Sequence, residues 1–358
     1  MFKALSSRWC NSKRGCSIAV IAVIALMPIV AAFNPWQFYY ADLLISFRFP
    51  LLAVALFFAL LLLALKKLWL GGVITIICII NLGSLLPLHS LEIAPSKAAI
   101  TVKQINLNYN NPYIDMHLKN LQNQLWDVLV LQEFSDLNRH LLKPFLNKAS
   151  LFGYREVEGI PYGIVVISRL PIIHRQQVKL DGDRLGYIKL KLLLDKHPIT
   201  AFIAHPPSPR TASHWQNRNW LLSAMNEASS KEIGPWFIAG DLNIVPWSVY
   251  FNWSNAQSCY AAANAYTSFA PTAIKHTLMT GLPIDHCIFN QEFHLSSLEV
   301  SEFKGSDHKL LSYTLNLKSY VKYLILGQYT TSSFNATCCV LAKYYGAVVN
   351  VVFKSCNK

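Results

Sequence analysis

The segment from Trp236 to Trp247 combines an apolar run with an abrupt polar ending. Its sequence is WFIAGDLNIVPW, so Asp241 and Asn243 come directly after the apolar residues and Gly240. Residues two apart share one side of a strand, so we predict that Asp241 and Asn243 point the same way. A carboxylate there can accept a proton from an attacking water, while an amide can donate to a phosphate or orient that water. Ordinary turn chemistry is the alternative, and the preceding apolar run disfavours it.

Oxygen ligands for a metal ion stand where other apolar runs stop. Glu133 follows VLVLQ, Asn106 ends VKQIN, and Asp307 lies in GSDH. Hard cations such as Mg²⁺ take oxygen ligands, typically one or two carboxylates with several retained waters. We therefore predict that Asn106, Glu133 and Asp307 are metal-binding residues. Each taken alone also has an ordinary interpretation, since Glu133 could cap a helix or face solvent and Asn106 could be a turn residue.

Two histidines are candidates for contacts with a phosphate. His308 follows Asp307, and His205 ends the apolar run AFIAH. Asp285 in PIDH can pair with His308, which would orient the ring and favour the imidazolium. We predict that His205 and His308 contact phosphate from opposite sides. His286 alternates to the other face of its strand and is interpreted as structural.

Two arginines are assigned structural roles. Arg218 lies in the helical segment WQNRNW, where it could clamp the helix to a loop or meet an anion, and the first role is favoured. Ser168 and Arg169 follow GIVVI and are expected to anchor the end of that strand.

The elements that must position these residues alternate between strands and helices. Apolar or alternating runs predict strands near 100–107, 128–131, 163–168, 187–194, 199–205, 236–239, 287–289, 298–303 and 310–317. Helical spacing covers 114–125, 136–150 and 211–230. This pattern predicts an α/β sandwich, with two sheets face to face and helices outside.

Three apolar segments before this region are predicted to be transmembrane helices: Cys16–Phe33, Phe49–Leu65 and Leu68–Leu88. Basic residues precede the first segment, and Lys66 and Lys67 separate the second from the third. The positive-inside rule then predicts a cytoplasmic N-terminus and a catalytic domain outside the cytoplasm. A cleaved signal peptide is the alternative for the first segment, and it leaves that orientation unchanged.

Charge is unevenly distributed along the 358 residues, whose formal net charge is +13. Residues 1–90 carry 7 basic and 1 acidic residue, residues 91–318 carry 21 and 18, and residues 319–358 carry 4 and none. The central region is thus nearly balanced, which weakens any argument from overall charge to nucleic-acid binding.

These observations divide the chain into five parts: a cytoplasmic N-terminus (1–15), a membrane segment (16–88), a tether (89–98), a catalytic domain (99–318) and a tail (319–358). The tail could be another membrane segment, an additional strand or sequence without a fold. Of the 8 cysteines only Cys259 and Cys287 lie in the central region. They could form a disulfide outside the cytoplasm, although two separate buried thiols are the favoured interpretation.

The ordered series of motifs resembles the endonuclease/exonuclease/phosphatase superfamily, specifically its bacterial membrane-anchored members. The motifs are QIN at 104–106, LQE at 131–133, GIVVISR at 163–169, IAH at 203–205, AGDLN at 239–243, ID at 284–285 and GSDH at 305–308. The resemblance implies a four-layer α/β sandwich of two packed mixed β-sheets flanked by helices, with a Mg²⁺ or Mn²⁺ site.

The same resemblance implies roles for the candidate residues. Asn106, Glu133 and Asp307 match the metal positions, and Asp241 matches the residue that activates water, with Asn243 at the phosphate. Asp285 would orient His308, and both His205 and His308 would stabilise the pentacovalent phosphate.

The predicted function is therefore a membrane-anchored, metal-dependent phosphoesterase of the inner membrane. Its partners would be the bilayer and a phosphoester substrate, namely a lipid head group, a nucleotide or nucleic acid, and no protein partner is inferred. A nuclease acting on extracytoplasmic DNA is the first alternative. A catalytically inactive, membrane-anchored binding protein is the second.

Overall fold

The computed structural model describes residues 17–26, 38–86, 98–153, 163–181, 185–263, 265–270 and 280–318, together with the backbone of 322–330, 337–345 and 348–355. The helices are α1 Ser17–Leu26, α2 Tyr39–Ser46, α3 Arg48–Ala64, α4 Leu68–Leu85, α5 Ile114–Gln122, α6 Ala212–Ser230 and α7 Cys259–Ala262, with a 3-10 helix at Asp136–Asn147. The strands are β1 Ala99–Asn106, β2 Val128–Gln132, β3 Ser150–Gly153, β4 Val165–Ser168, β5 Ile172–Lys179, β6 Gly186–Leu194, β7 His197–Ile203, β8 Trp236–Asp241, β9 Ala256–Ser258, β10 Asp285–Asn290, β11 Phe293–Ser301, β12 Leu310–Leu317, β13 Lys322–Thr330, β14 Thr337–Tyr345 and β15 Val348–Ser355.

Two six-stranded mixed sheets form the centre of the structure between residues 99 and 317. One has the order β11-β12-β1-β2-β4-β3, and the other has the order β5-β6-β7-β8-β10-β9. Each contains one parallel pair, β1 with β2 and β7 with β8, among antiparallel neighbours. The predicted α/β fold of two packed mixed sheets flanked by helices is confirmed.

Alternation along the strands divides the apolar residues between an inner core and two outer cores. Val102 and Val130 of the first sheet meet Leu190 and Phe237 of the second in the inner core. The opposite face of the first sheet packs against α5 and the 3-10 helix, and the opposite face of the second packs against α6. Burial of both faces explains why β2, β4 and β8 are apolar almost throughout.

The number of membrane-spanning helices differs from the prediction. In the described part of the chain, only α4 is long and apolar enough by itself to cross a bilayer, and α2 with α3 would make a second span if that bent pair is one unit. The two helices meet at 77°. Pro50 explains the break, because its ring would clash with the Ser46 carbonyl in a continuous helix. The first predicted segment is described only as α1, and its remainder lies outside the described residues.

Two further findings concern the cysteines and the tail. Cys259 and Cys287 form a disulfide, contrary to the favoured interpretation of separate thiols. The register explains it, because Ser258 of β9 pairs with Ile288 of antiparallel β10, which places Cys259, one residue after Ser258, beside Cys287, one residue before Ile288. In the tail, the backbone of β13, β14 and β15 forms an antiparallel three-stranded sheet of its own.

Candidate active site

The predicted site residues converge on one edge of the sandwich. A cavity of about 650 Å³ opens there, and six of the predicted residues line it: Glu133, His205, Asp241, Asn243, Asp307 and His308. The other two, Asn106 and Asp285, are buried and contact residues of that lining. Segments separated by up to two hundred positions therefore form one polar cluster.

Asn106 and Glu133 lie side by side because β1 and β2 are parallel neighbours. Asn106 pairs in register with Gln132, and its Nδ2 donates to Glu133 Oε1 at 3.0 Å. Glu133 follows the last residue of β2 with φ of 52°, a left-handed conformation that is uncommon for a non-glycine residue. This turn directs its carboxylate, which is 26% exposed, into the cavity. Asn106 also donates to Asp241 Oδ2 at 3.2 Å.

Asp241 ends β8 and is held by the opposite sheet. Gln132 crosses between the sheets, so that its Oε1 accepts from the Asp241 backbone N–H at 3.0 Å and its Nε2 donates to the Ala204 carbonyl at 2.8 Å. Gly240 leaves space for this bridge, because a Cβ on it would lie 2.0 Å from the Ala204 oxygen and 2.8 Å from Gln132 Nε2. A second buried glutamine, Gln104, donates similarly to the His286 carbonyl at 3.0 Å.

Asn243 reaches the cavity by a different route from the one expected. Strand alternation does not place it there, because β8 ends at Asp241 and Asn243 has φ of 52°. Instead, Asp241 Oδ1 accepts from the Asn243 backbone N–H at 2.9 Å, which closes a turn. The Asn243 side chain then donates to the Pro206 carbonyl at 3.0 Å.

Two histidines flank Asp241. The expected contact of His308 with Asp285 is present, with 2.8 Å between His308 Nδ1 and Asp285 Oδ2. His308 Nε2 lies 3.7 Å from Asp241 Oδ2, and His205 Nε2 lies 3.4 Å from the same oxygen. His205 Nε2 is also 3.9 Å from Glu133 Oε1.

The electrostatics favour charged histidines and an ionised Asp241. Burial lowers the pKa of His308, but the charges of Asp285 and Asp241 outweigh it and raise that pKa to about 10. Burial also lowers the pKa of His205, and the hydrogen bond and charge of Asp241 raise it above its usual value. Burial raises the pKa of Asp241, whereas His308 and His205 bring it down to about 2. Burial raises the pKa of Asp285 as well, and the short contact with His308 leads us to assign the shared proton to the imidazolium.

Two sets of side chains at this edge could hold a cation. Asp241, Asp285 and His308 each offer a ligand atom, and these atoms lie within 4.8 Å of one another. The predicted set differs, because Asn106, Glu133 and Asp307 supply only oxygen atoms. Asp307 Oδ1 accepts from Asn108 Nδ2 at 3.3 Å, and both residues line the cavity with Glu133. The oxygen-only set matches the preference of Mg²⁺ better, since His308 already bonds Asp285.

The structural interpretations of the remaining polar residues are confirmed. Arg218 clamps α6 to the active-site loop, because its Nη1 donates to the Asn243 carbonyl at 2.9 Å. Ser168 donates to the Leu170 carbonyl, and Arg169 donates to the carbonyls that follow α5 and stacks on Trp126. His286 is fully buried, with Nε2 2.7 Å from the Ile244 carbonyl, and burial lowers its pKa to about 4.

Sequence reasoning assigned no role to several residues of the site. Gln132 directly follows the strand predicted at 128–131, and Asn108 lies only two residues after Asn106. Leu43, Ser46 and Phe47, at the C-terminal end of α2 and in the turn that follows it, also line this cavity, and no sequence pattern near them indicates it. Their contribution depends on a tertiary contact that no local pattern encodes.

Comparison with known proteins supports the family resemblance. The model of the Endonuclease/Exonuclease/phosphatase family matches residues 100–308, more than half of the chain. The chain belongs to this family. Its members are generally hydrolases of phosphoesters, include nucleases, and typically depend on a divalent metal. No curated protein matches the chain.

Solved structures share the fold of this Endonuclease/Exonuclease/phosphatase family chain at low identity. D. rerio TDP2, solved with a single strand DNA product, is 13% identical with a TM-score of 0.52, covering 61% of this chain and 99% of TDP2. A family protein from Beutenbergia cavernae DSM 12333 is 15% identical with a TM-score of 0.51, covering 72% and 89%. One from Bacteroides vulgatus is 14% identical with a TM-score of 0.51, covering 62% and 100%.

Proposed function

We propose that this protein is a bilayer-anchored, metal-dependent hydrolase of phosphodiesters or phosphomonoesters. The observation that carries the proposal is the convergence of Glu133, Asp241 and His308 on one cavity. An ionised carboxylate that can accept a proton, beside two cationic imidazoles, suits a reaction in which water attacks phosphorus and charge builds on the phosphoryl oxygens.

Each residue has a distinct part in this reaction. Asp241 accepts the proton of the attacking water as the water oxygen bonds to phosphorus and the bond to the leaving oxygen breaks. Asn243 orients that water or donates to the phosphate. His205 and His308 stabilise the negative oxygens from two sides of Asp241, and Asp285 keeps His308 oriented and protonated.

Asn106, Glu133 and Asp307 would hold Mg²⁺ or Mn²⁺. A bound divalent cation would offset the negative charge of the phosphoryl group. The fit rests on the donor chemistry, since the carboxylates of Glu133 and Asp307 face the same cavity and Asn106 supports Glu133.

Mg²⁺ titration by calorimetry tests this ligand assignment without relying on activity. Glu133→Gln should abolish the binding, whereas Asp285→Asn should retain it. The reverse result would favour the Asp241, Asp285 and His308 set.

The fold and the disulfide support an extracytoplasmic catalytic domain. Antiparallel α3 and α4 put Lys66 and Lys67 at one end of a hairpin, and the catalytic domain packs at the other, where Tyr260 donates to the Leu85 carbonyl at 2.6 Å. Basic residues favour the cytoplasmic side, so the domain would lie outside. A Cys259–Cys287 bridge also suits an oxidising compartment.

Protease accessibility of the domain in spheroplasts tests this orientation, and protection in intact spheroplasts would contradict it.

The activity test uses the full chain purified in detergent with bis(p-nitrophenyl) phosphate, p-nitrophenyl phosphate and single-stranded DNA, with and without Mg²⁺. We expect Mg²⁺-dependent hydrolysis that Glu133→Gln removes and that Asp115→Asn leaves unchanged, because Asp115 is exposed on α5 and pairs with Lys119 at the surface. Absence of turnover on every substrate would favour the inactive binding protein.

A nuclease is the second candidate. The fold similarity to D. rerio TDP2, which was solved with a DNA product, is the observation in its favour. Cleavage of DNA in strong preference to the aryl esters would support it.

A further inference from the structure

Helix α2 has an apolar face that the residues described in the structure leave uncovered. Tyr40 and Leu44 are 68% and 49% exposed, and Phe47 in the turn after the helix is 53% exposed. The spacing of four and three residues puts them on one side of the helix, opposite the buried Asp42 and Ile45. A contiguous exposed apolar stripe marks a contact surface. Because α2 leads directly into the apolar helix α3, the surface that fits it is the interfacial region of a bilayer.

A buried ionic cluster fixes α2 to the catalytic domain. The Asp42 cluster consists of Asp42, Trp215, Arg218 and Ser248, and each of the last three donates to an Asp42 carboxylate oxygen. Asp42 and Arg218 are both only 2% exposed. Arg218 also donates to the Asn243 carbonyl, so a single guanidinium joins the membrane segment to the active-site loop.

Aromatic side chains extend this contact on both sides of the Asp42 cluster. Trp247 Nε1 donates to the Ile45 carbonyl at 2.6 Å, and its ring packs edge-on against Phe49. Tyr39 donates to the Pro209 carbonyl at 3.2 Å. These contacts hold α2 in one position relative to the cavity.

The fixed helix supplies one wall of the catalytic cavity. Leu43, Ser46 and Phe47 line it together with the catalytic groups Glu133, Asp241 and His308. The cavity therefore has a polar, charged part at the sheet edge and an apolar part that belongs to the membrane segment. Among the described residues that line it, Arg210 is the only lysine or arginine, whereas tight DNA binding would call for a track of several cations.

We propose that the substrate is a lipid phosphoester, whose phosphate enters the cavity while its acyl part stays against Leu43 and Phe47 at the bilayer surface. This inference rests on the proposed hydrolase function and names the substrate class of the same site. The Asp42 cluster then acts as a positioning device that sets the height of the catalytic residues above the bilayer.

Matched pairs of substrates test the inference on the full chain in mixed detergent micelles. Phosphatidylglycerol is compared with glycerophosphoglycerol, and phosphatidic acid with glycerol 3-phosphate, so that each pair differs only in its acyl chains. We expect kcat/KM to be at least about tenfold higher for the acylated member of the pair that is cleaved, which is the order expected from covering a few apolar groups.

Two variants in the α2 wall of the cavity and one outside it show whether α2 is responsible for the preference for acylated substrates. Phe47→Ser and Leu43→Ser should each lower the acylated-to-deacylated ratio about tenfold. Phe57→Ser should leave that ratio unchanged, because Phe57 is 62% exposed on α3 and does not line the cavity. Melting curves establish that each variant folds, and a second wall variant is available if one does not.

The outcomes separate the two proposals. Hydrolysis of bis(p-nitrophenyl) phosphate with equal rates on acylated and deacylated esters would overturn the lipid assignment and leave the hydrolase standing. The same conclusion follows if Phe57→Ser and Phe47→Ser behave alike, or if DNA is the preferred substrate. Failure to hydrolyse any phosphoester would overturn the hydrolase itself.

Discussion

The catalytic cavity and the Asp42 cluster both contain charges removed from water, yet they are built differently. In the Asp42 cluster, three donors close on one carboxylate and Arg218 has the Asn243 carbonyl as a further acceptor. In the cavity, the histidine nitrogens lie 3.4 Å and 3.7 Å from Asp241 Oδ2, farther than the 2.8 Å between His308 and Asp285, and they adjoin an open volume of about 650 Å³. Contacts closed on one buried carboxylate fix a position, whereas charged side chains beside an open cavity can contact a substrate. Variants of the cavity should therefore lose mainly activity, and variants of the Asp42 cluster should lose mainly stability.

The largest effect is expected from Asp241→Asn. Asparagine keeps the acceptor for the Asn243 N–H but cannot take the proton of water. We expect kcat to fall by about 10² to 10⁴. The loss of stability should be smaller than that of Asp42→Ala, because Asp285 still pairs with His308 after Asp241 is neutralised. Steady-state kinetics on the best aryl ester measures this, with Asp115→Asn as the matched control. If Asp241→Asn instead lost much stability and kept its activity, Asp241 would have the structural role that we assign to the Asp42 cluster.

Asp42→Ala should act on stability first. Removing the carboxylate leaves the buried guanidinium of Arg218 without its counter-charge, which costs about 3–5 kcal/mol. Thermal unfolding in detergent measures the loss. Adding Arg218→Met should recover part of it, because an apolar residue of similar length no longer requires a charged partner. If the double variant is as unstable as the sum of both single changes, the cluster is not one unit.

These two residues illustrate what can be predicted from sequence. Asp241 ends an apolar strand, and Glu133 and Asp285 also adjoin such runs, so their place at a sheet edge follows from local patterns. Asp42 sits between apolar segments, and nothing near it indicates a partner 176 positions away. Asn243 was assigned to the correct cavity by the wrong route, because alternation cannot foresee a left-handed turn. The Cys259–Cys287 bridge likewise depends on a strand register that spacing does not reveal.

Loss of the disulfide should have an intermediate effect on stability. Cys259→Ser combined with Cys287→Ser opens a crosslink across 28 residues, and about 2–4 kcal/mol of stability is expected to disappear. Unfolding of the wild-type protein with and without reductant checks the same quantity. A domain that is equally stable when reduced would remove one support for the extracytoplasmic location.

The smallest effect is expected from Gln132→Met. Gln132 both joins the two sheets and contacts the backbone of Asp241, so the change affects stability and activity together. The Asp241 N–H and the Ala204 carbonyl would lose their side-chain partner, at a cost of about 1–3 kcal/mol. Since Asp241 loses an orienting contact, kcat should fall while KM stays close to that of the wild type. A change confined to KM would argue against a positioning role.

Gln104 and Gln132 reach from the first sheet to main-chain oxygens at the second. These hydrogen bonds would break if one sheet shifted along the other by a single residue, so they keep the two sheets in a fixed alignment. Because that alignment is independent of the surface loops, the rim of the cavity can be redesigned for other head groups without disturbing the reacting atoms. The scaffold is therefore a suitable starting point for exchanging loops and altering selectivity.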